Sequence, residues 1–208
     1  MKSGRFITVE GTEGAGKSTA IAHIQRWLED KGHGAIITRE PGGTPLGEEI
    51  RSILLAHRQD GMAPKTEALL MFAASAEHLH TVIKPALEKG QWVVCDRFSD
   101  ASSAYQGAGR QLGLEQIQVL AQWTHPTLEP DLTLWLDVPV ELGLIRANGR
   151  SQPDRFESEK AAFFEAVRQG YAQLAAGAPQ RIRRIDASAD LATVTAQIEA
   201  VLEHRFRG

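Results

Sequence analysis

Residues 11 to 18 read Gly11-Thr12-Glu13-Gly14-Ala15-Gly16-Lys17-Ser18, a G-x-x-x-x-G-K-S/T arrangement. Each residue type has a physical reason to be there. The glycines let the main chain curl so that successive N–H groups point inward at a polyphosphate. A helix starting at Ser18 adds the positive end of its dipole. Lys17 would reach the β- and γ-phosphates, and the Ser18 hydroxyl would ligate Mg²⁺. The apolar run 6–9 leads into this loop and a helix-like stretch, 18–31, follows it. The reading is a nucleoside-triphosphate site built from Gly11, Thr12, Glu13, Gly14, Ala15, Gly16, Lys17, Ser18 and Thr19.

Further charged residues stand at the ends of other apolar runs. Asp96 follows Trp92-Val93-Val94-Cys95 and resembles the strand-end carboxylate that helps to hold Mg²⁺, partly through water, in phosphate-loop enzymes. Arg97 next to it is either the ion-pair partner of Asp96 or a planar fork for a phosphate of a second substrate. Arg39, Arg51 and Asp137 are further strand-end or helix cations and anions of interest. The segment 146–157 is polar, contains Gly149 and Pro153, and carries Arg146, Arg150 and Arg155. Its position between two helical patterns suits a lid, at about 147–157, with Arg150 or Arg155 stabilising charge on a transferring phosphoryl group. His78 and His80 lie two apart on a presumed helix, so they face different ways and do not suggest a metal pair.

These residues need a scaffold, and the pattern supplies one. Short apolar runs at 6–9, 35–38, 92–96 and 132–137, and a last short strand pattern at 181–186, alternate with helical patterns at 18–31, 46–55, 66–89, 114–123, 140–146, 158–174 and 191–206. The third of these is expected to bend near Pro85. Such alternation predicts an α/β fold, with a parallel sheet covered by helices on both faces and ligands outside the carboxyl ends of its strands. The 208 residues suit one domain, 1–208. A net charge of −3 argues against long nucleic acid as a partner. No apolar run approaches membrane-spanning length and no signal-peptide pattern follows Met1, so a cytoplasmic setting is expected. The lone Cys95 reads as a core residue, and Trp27, Trp92, Trp123 and Trp135 as core or partner-facing packing.

Taken together the motifs resemble those of the thymidylate kinase family. The resemblance rests on Glu10-Gly11-Thr12-Glu13-Gly14-Ala15-Gly16-Lys17-Ser18-Thr19, Thr38-Arg39-Glu40-Pro41-Gly42-Gly43-Thr44, Asp96-Arg97-Phe98, Tyr105-Gln106-Gly107-Ala108-Gly109-Arg110, Pro130-Asp131-Leu132-Thr133-Leu134 and Asp154-Arg155-Phe156-Glu157. It implies a phosphate-loop three-layer sandwich with a five-stranded parallel sheet and a short lid. The implied activity is transfer of the ATP γ-phosphoryl group to dTMP, giving dTDP, with Mg²⁺ and without a general base. The catalytic set it implies is Lys17, Asp96, Arg97 and Arg150, with Ser18 and Asp96 toward Mg²⁺. Glu13 would accept a hydrogen bond from the sugar 3′-hydroxyl, Arg51 and Arg97 would hold the acceptor phosphate, and Tyr105 would favour deoxyribose. Met71 and Phe72 would lie near the base, with Ser75, Ser102 and Gln106 also around dTMP. Arg146 and the loop at Ala187-Ser188 would enclose adenine. Homodimers built from long helices are implied as well.

At Ser75 the family usually carries an arginine that reaches the thymine ring, so altered base reading is implied here. Loss of a charged donor to a ligand carbonyl is worth about 1.5–3 kcal/mol, roughly ten- to a hundredfold in affinity. The alternatives are a kinase for another nucleotide or a deoxynucleoside, and a slow nucleotide-dependent switch. The absence of an Asn-Lys-x-Asp segment weighs against a GTPase switch.

Overall fold

A computed structural model describes residues 4–147 and 154–207. Five strands form one parallel sheet in the order β2-β3-β1-β4-β5: β1 (Phe6–Glu10), β2 (Ala35–Arg39), β3 (Trp92–Asp96), β4 (Leu132–Asp137) and β5 (Ile182–Asp186). β1 and β4 are buried along their whole length, and for that reason they read as continuous apolar runs without alternation. Two polar exceptions inside the sheet satisfy one another: Thr8 on β1 and Thr133 on β4 share a 2.8 Å hydroxyl–hydroxyl hydrogen bond.

The helices are α1 (Lys17–Asp30), α2 (Pro45–Leu55), α3 (Pro64–His78), α4 (Lys84–Glu88), α5 (Ser99–Ser102), α6 (Leu114–Thr124), α7 (Val140–Ala147), α8 (Ala161–Gly177) and α9 (Leu191–Phe206). α1 and α9 close one sheet face through Ile24, Leu28, Ile198 and Leu202, packed on Ile7, Val9, Val94 and Leu134. On the other face Phe163, Phe164, Val167 and Tyr171 of α8 pack against Trp135, and Leu79, Ile83 and Ala86 against Phe6, Val93 and the buried Cys95. No helix among the described residues is long and apolar enough to cross a membrane.

Two places differ from the sequence expectation in an informative way. The long helix expected over 66–89 is continuous, but it widens into one π-helical turn over Leu79–Ile83, where the Lys84 N–H reaches back to the Leu79 carbonyl. Pro85 has no N–H to offer, and the wider turn comes immediately before it. The second difference is a helix over 99–109 that the sequence analysis did not assign. α5 continues there as a π-helical stretch, Ser103–Gly109. Its glycines weaken local helix propensity but permit contact with α8: a Cβ on Gly109 would lie 2.6 Å from the Phe163 ring, and one on Gly170 would lie 2.9 Å from the Ala108 Cβ. The helix expected over 158–174 begins instead at Ala161. Asp154 accepts the N–H groups of Phe156 and Glu157, and 154–159 becomes a separate capped turn.

β1 lies between β3 and β4; the connection from β1 runs to β2 on one side and that from β4 to β5 on the other, so the carboxyl end of β1 lies at the switch point of the sheet. Register places Val9 beside Asp96, and Asp96 beside Arg39. The ends of three strands therefore meet where the Gly-rich loop begins.

Candidate active site

The loop between β1 and α1 is shaped by its glycines. Gly14 has φ 72°, and a Cβ there would fall 2.0 Å from the Gly143 carbonyl oxygen of α7. Only glycine fits both the backbone and the space. Ala15 is buried in the core under the loop, whereas Ser18 and Thr19 are exposed on the first turn of α1. Lys17 Nζ donates to the carbonyls of Gly11 and Thr12 at 3.3 and 3.2 Å. It forms no ion pair among the described residues. Burial, then the neighbouring Arg97, push its pKa down to about 8. A cation held at that disadvantage, on two long main-chain contacts, is prepared for an anion.

A cavity of about 250 Å³ opens beside the loop. Of the residues singled out from the sequence, Glu13, Gly14, Lys17, Arg51, Met71, Asp96, Arg97, Ser102, Tyr105 and Gln106 line it. Phe72 and Ser75 do not. Phe72 is packed with Ala68 and Ile117 between α3 and α6. Ser75 is 4% exposed, and its hydroxyl donates to Glu40 Oε1 at 3.1 Å. The same oxygen lies 3.0 Å from His78 Nδ1, and His78 Nε2 lies 2.6 Å from Thr38 Oγ1. Glu40, Pro41, Phe98 and Phe156 also line the cavity, and sequence reasoning had given them no role. Their signal was present in the quoted motifs, but nothing local to those stretches says which of their side chains turn inward.

Arg97 sits in the left-handed backbone region at φ 69°. Its side chain turns away from Asp96 and toward the loop: Nη1 donates to the Gly11 carbonyl at 2.8 Å, and Nη2 pairs with Glu13 Oε1 at 2.9 Å. The Tyr105 ring lies 4.7 Å from the guanidinium, and the Tyr105 hydroxyl donates to Glu13 Oε2 at 2.8 Å. The reading of Arg97 as the ion-pair partner of Asp96 is thus corrected. Asp96 Oδ1 is buried with no hydrogen-bond partner among the described residues. An unpartnered carboxylate oxygen lining this cavity fits an oxygen-loving cation such as Mg²⁺. Among the described residues no group of three or more His, Cys, Asp or Glu forms a cage of its own. A cation here would complete its shell with ligands other than acidic side chains, such as water or phosphate oxygens.

Arg51 donates to the Pro41 carbonyl at 3.0 Å and has no ion pair among the described residues. Burial and the charge of Arg39 lower its pKa. Three cations, Lys17, Arg51 and Arg97, therefore converge on one cavity, and among the described residues Glu13 is the only acid paired to any of them.

The remaining charged candidates are bound elsewhere. Asp137, at the end of β4, is held by Arg168 Nε and Arg184 Nε at 2.7 Å each. Arg39 pairs with Glu48 at 2.9 Å on the surface. Arg155 donates to Glu67 Oε2 at 2.6 Å and to the Leu54 carbonyl at 2.8 Å. Its side chain is thus turned to Glu67, and Arg155 does not line the cavity. Glu67 is fully buried and also accepts from Gln106 and Arg110. Arg150 lies outside the described residues. Arg146 of α7 donates to the Ala187 carbonyl at 2.7 Å and approaches that of Ser188 at 3.5 Å, on the far side of the loop.

The geometry is that of a polyphosphate cradle next to a cationic second cavity, and the comparisons with known proteins agree. The thymidylate kinase family model matches residues 9–198. The chain is 61% identical to a thymidylate kinase of Alkalilimnicola ehrlichii over 203 residues, 97% of this chain and 94% of that protein. It is 54% identical to one of Nitrosomonas europaea over 203 residues, 98% and 94% of the two chains. It is 55% identical to one of Pseudomonas putida over 200 residues, 96% and 95% of the two chains. The chain belongs to the thymidylate kinase family.

Proposed function

We propose that this chain, as a single phosphate-loop kinase domain with its lid at about 147–157, transfers the γ-phosphoryl group of ATP to dTMP and releases dTDP. The observation that carries the reading is the placement of Lys17, Arg51 and Arg97 around one cavity at the sheet switch point. The acceptor phosphate oxygen is already anionic near neutral pH and needs no general base. The protein's task is to align two polyanions and neutralise their repulsion. Lys17 and the loop N–H groups take the ATP phosphates. Arg97 and Arg51 take the acceptor phosphate, and Arg150 is assigned to the charge on the transferring group. Glu13 and Tyr105 face the sugar, and Met71, Gln106 and Ser102 surround the rest of the nucleotide. Arg146 and the carbonyls of Ala187 and Ser188 are adjacent, which supports an adenine site there. Ser18 and Asp96 would hold Mg²⁺, which supplies charge neutralisation across the phosphates when bound.

Because the Ser75 hydroxyl is engaged by Glu40, base reading passes to the residues that line the cavity, Glu40 among them. ADP release from Mg-ATP with dTMP, dUMP, UMP, AMP and GMP offered singly tests this. Stimulation should be strongest with dTMP. Ser75→Arg should shift the ratio between dTMP and the other acceptors by roughly tenfold. Equal turnover with every acceptor, or with none, would overturn the substrate assignment.

Val119 and Trp123 are one helical turn apart on α6 and are 69% and 82% exposed, and Leu69 of the adjacent α3 is 56% exposed. This supports a homodimer through these helices. Sedimentation should give twice the chain mass for the native protein and the chain mass for Trp123→Glu. A native monomer would reject the dimer.

A further inference from the structure

β1 ends in a carboxylate that the phosphoryl-transfer scheme does not use. Glu10 is fully buried, one residue before the phosphate loop. Each of its oxygens has one partner, from a different element. Oε1 accepts the Phe98 N–H at 2.8 Å, and Oε2 accepts the Tyr171 hydroxyl of α8 at 2.8 Å. Burial in this position is unfavourable for an acid. Desolvation and the nearby Asp100 raise its pKa to about 8, against the opposing pull of Arg97 and the two hydrogen bonds. A sheet core needs no such group, and an apolar residue would pack there more easily.

Both partners of Glu10 lead to Arg97. Phe98 follows Arg97 directly, so the bond to its N–H fixes the chain where Arg97 takes its left-handed turn at φ 69°. The Tyr171 hydroxyl, oriented by donating to Glu10, accepts a long hydrogen bond from Arg97 Nη1 at 3.4 Å. One carboxylate thus holds the main chain beneath Arg97 and, through a phenol, one arm of its guanidinium. The carboxyl lies within hydrogen-bond reach of both partners at once, which an apolar side chain of the same size does not offer.

We propose that Glu10 and Tyr171 are positioning residues for acceptor-phosphate binding: together they set the direction of the Arg97 fork. The proposal rests on the reading of Arg97 as a ligand of the dTMP phosphate.

The test is steady-state kinetics and dTMP binding for Tyr171→Phe, Glu10→Gln and Arg97→Ala, alone and combined, in the full chain with Mg-ATP. Tyr171→Phe removes a single oxygen, and Glu10→Gln replaces one of the two carboxyl oxygens by an amide NH2, leaving a single acceptor for the two partners. Each should raise the KM and Kd for dTMP roughly five- to thirtyfold, leaving the KM for ATP within about twofold. The double variant should be no worse than the poorer single one, since both act through one fork. In an Arg97→Ala background, Tyr171→Phe should have no further effect on dTMP binding.

A merely structural role would lower the Tm and leave the KM for dTMP unchanged, and that result would overturn the proposal. So would a Tyr171→Phe effect that persists without Arg97. If Arg97→Ala itself leaves dTMP binding intact, the assignment of Arg97 is what fails. Should Glu10→Gln not fold, Tyr171→Phe and its combination with Arg97→Ala decide the matter.

Discussion

Replacing Lys17 by Ala is expected to lower kcat by roughly 10²–10³-fold, the scale seen when one preorganised donor to developing charge is removed. The fold should survive. Lys17 is held by two main-chain contacts longer than 3 Å and by no ion pair among the described residues, so little is left unsatisfied when it goes. Its folded pKa of about 8 lies below the ordinary 10.5. A base depressed in this way supports stability fully only above about pH 10.5, and that support is lost as pH falls toward 8. At pH 7 the charged lysine is therefore a burden on the fold, and Lys17→Ala should melt at the native temperature or above it. The same pKa predicts a pH profile. In the free enzyme Lys17 loses its proton near pH 8, so kcat/KM for ATP should decline above that pH. Bound polyphosphate restores the proton, and kcat should hold to higher pH. A profile of kcat/KM flat to pH 9.5, or a Lys17→Ala variant with native turnover, would remove Lys17 from the phosphate site.

Lys17 was legible in the sequence because the phosphate loop is local: its residues are consecutive, and the glycine spacing states the backbone they adopt. The inner strands β1, β3 and β4 were legible for a related reason, since burial on both faces leaves a largely apolar run. Neighbours on a helix were harder. Met71 and Phe72 are both apolar and differ by about 100° of rotation, which sends Met71 to the cavity and Phe72 between α3 and α6. No pattern in one sequence fixes that choice when the helix is buried on several sides. The helix over 99–109 was hidden by its glycines, which look like breakers until α6 is known to press against Gly107 and α8 against Gly109. Arg155 and Glu67 were beyond reach for a third reason. Their pairing spans 88 positions, and only the fold shows that Arg155 is already engaged. A buried acid on an apolar helix face was the one signal that Glu67 offered.

Arg97→Ala is expected to reduce kcat/KM for dTMP by roughly 10²–10⁴-fold with little change in the KM for ATP. Two losses add. The first is the donor that the proposed function assigns to the acceptor phosphate. The second is exposed by the Glu13 carboxylate, whose partners are Arg97 at 2.9 Å and the Tyr105 hydroxyl. Without Arg97 an unneutralised carboxylate faces an incoming phosphate dianion across the same cavity. Lysine should not repair the site. A compact ammonium cannot span the Gly11 carbonyl and Glu13 together as the planar fork does, nor lie against the Tyr105 ring in the same way. Glu13→Gln separates the two losses. In the Arg97→Ala background it should recover part of the dTMP affinity by removing repulsion, whereas in the native background it should only weaken binding. If Glu13→Gln is equally harmful in both backgrounds, Arg97 does not act by neutralising Glu13, and the whole loss belongs to the phosphate contact itself.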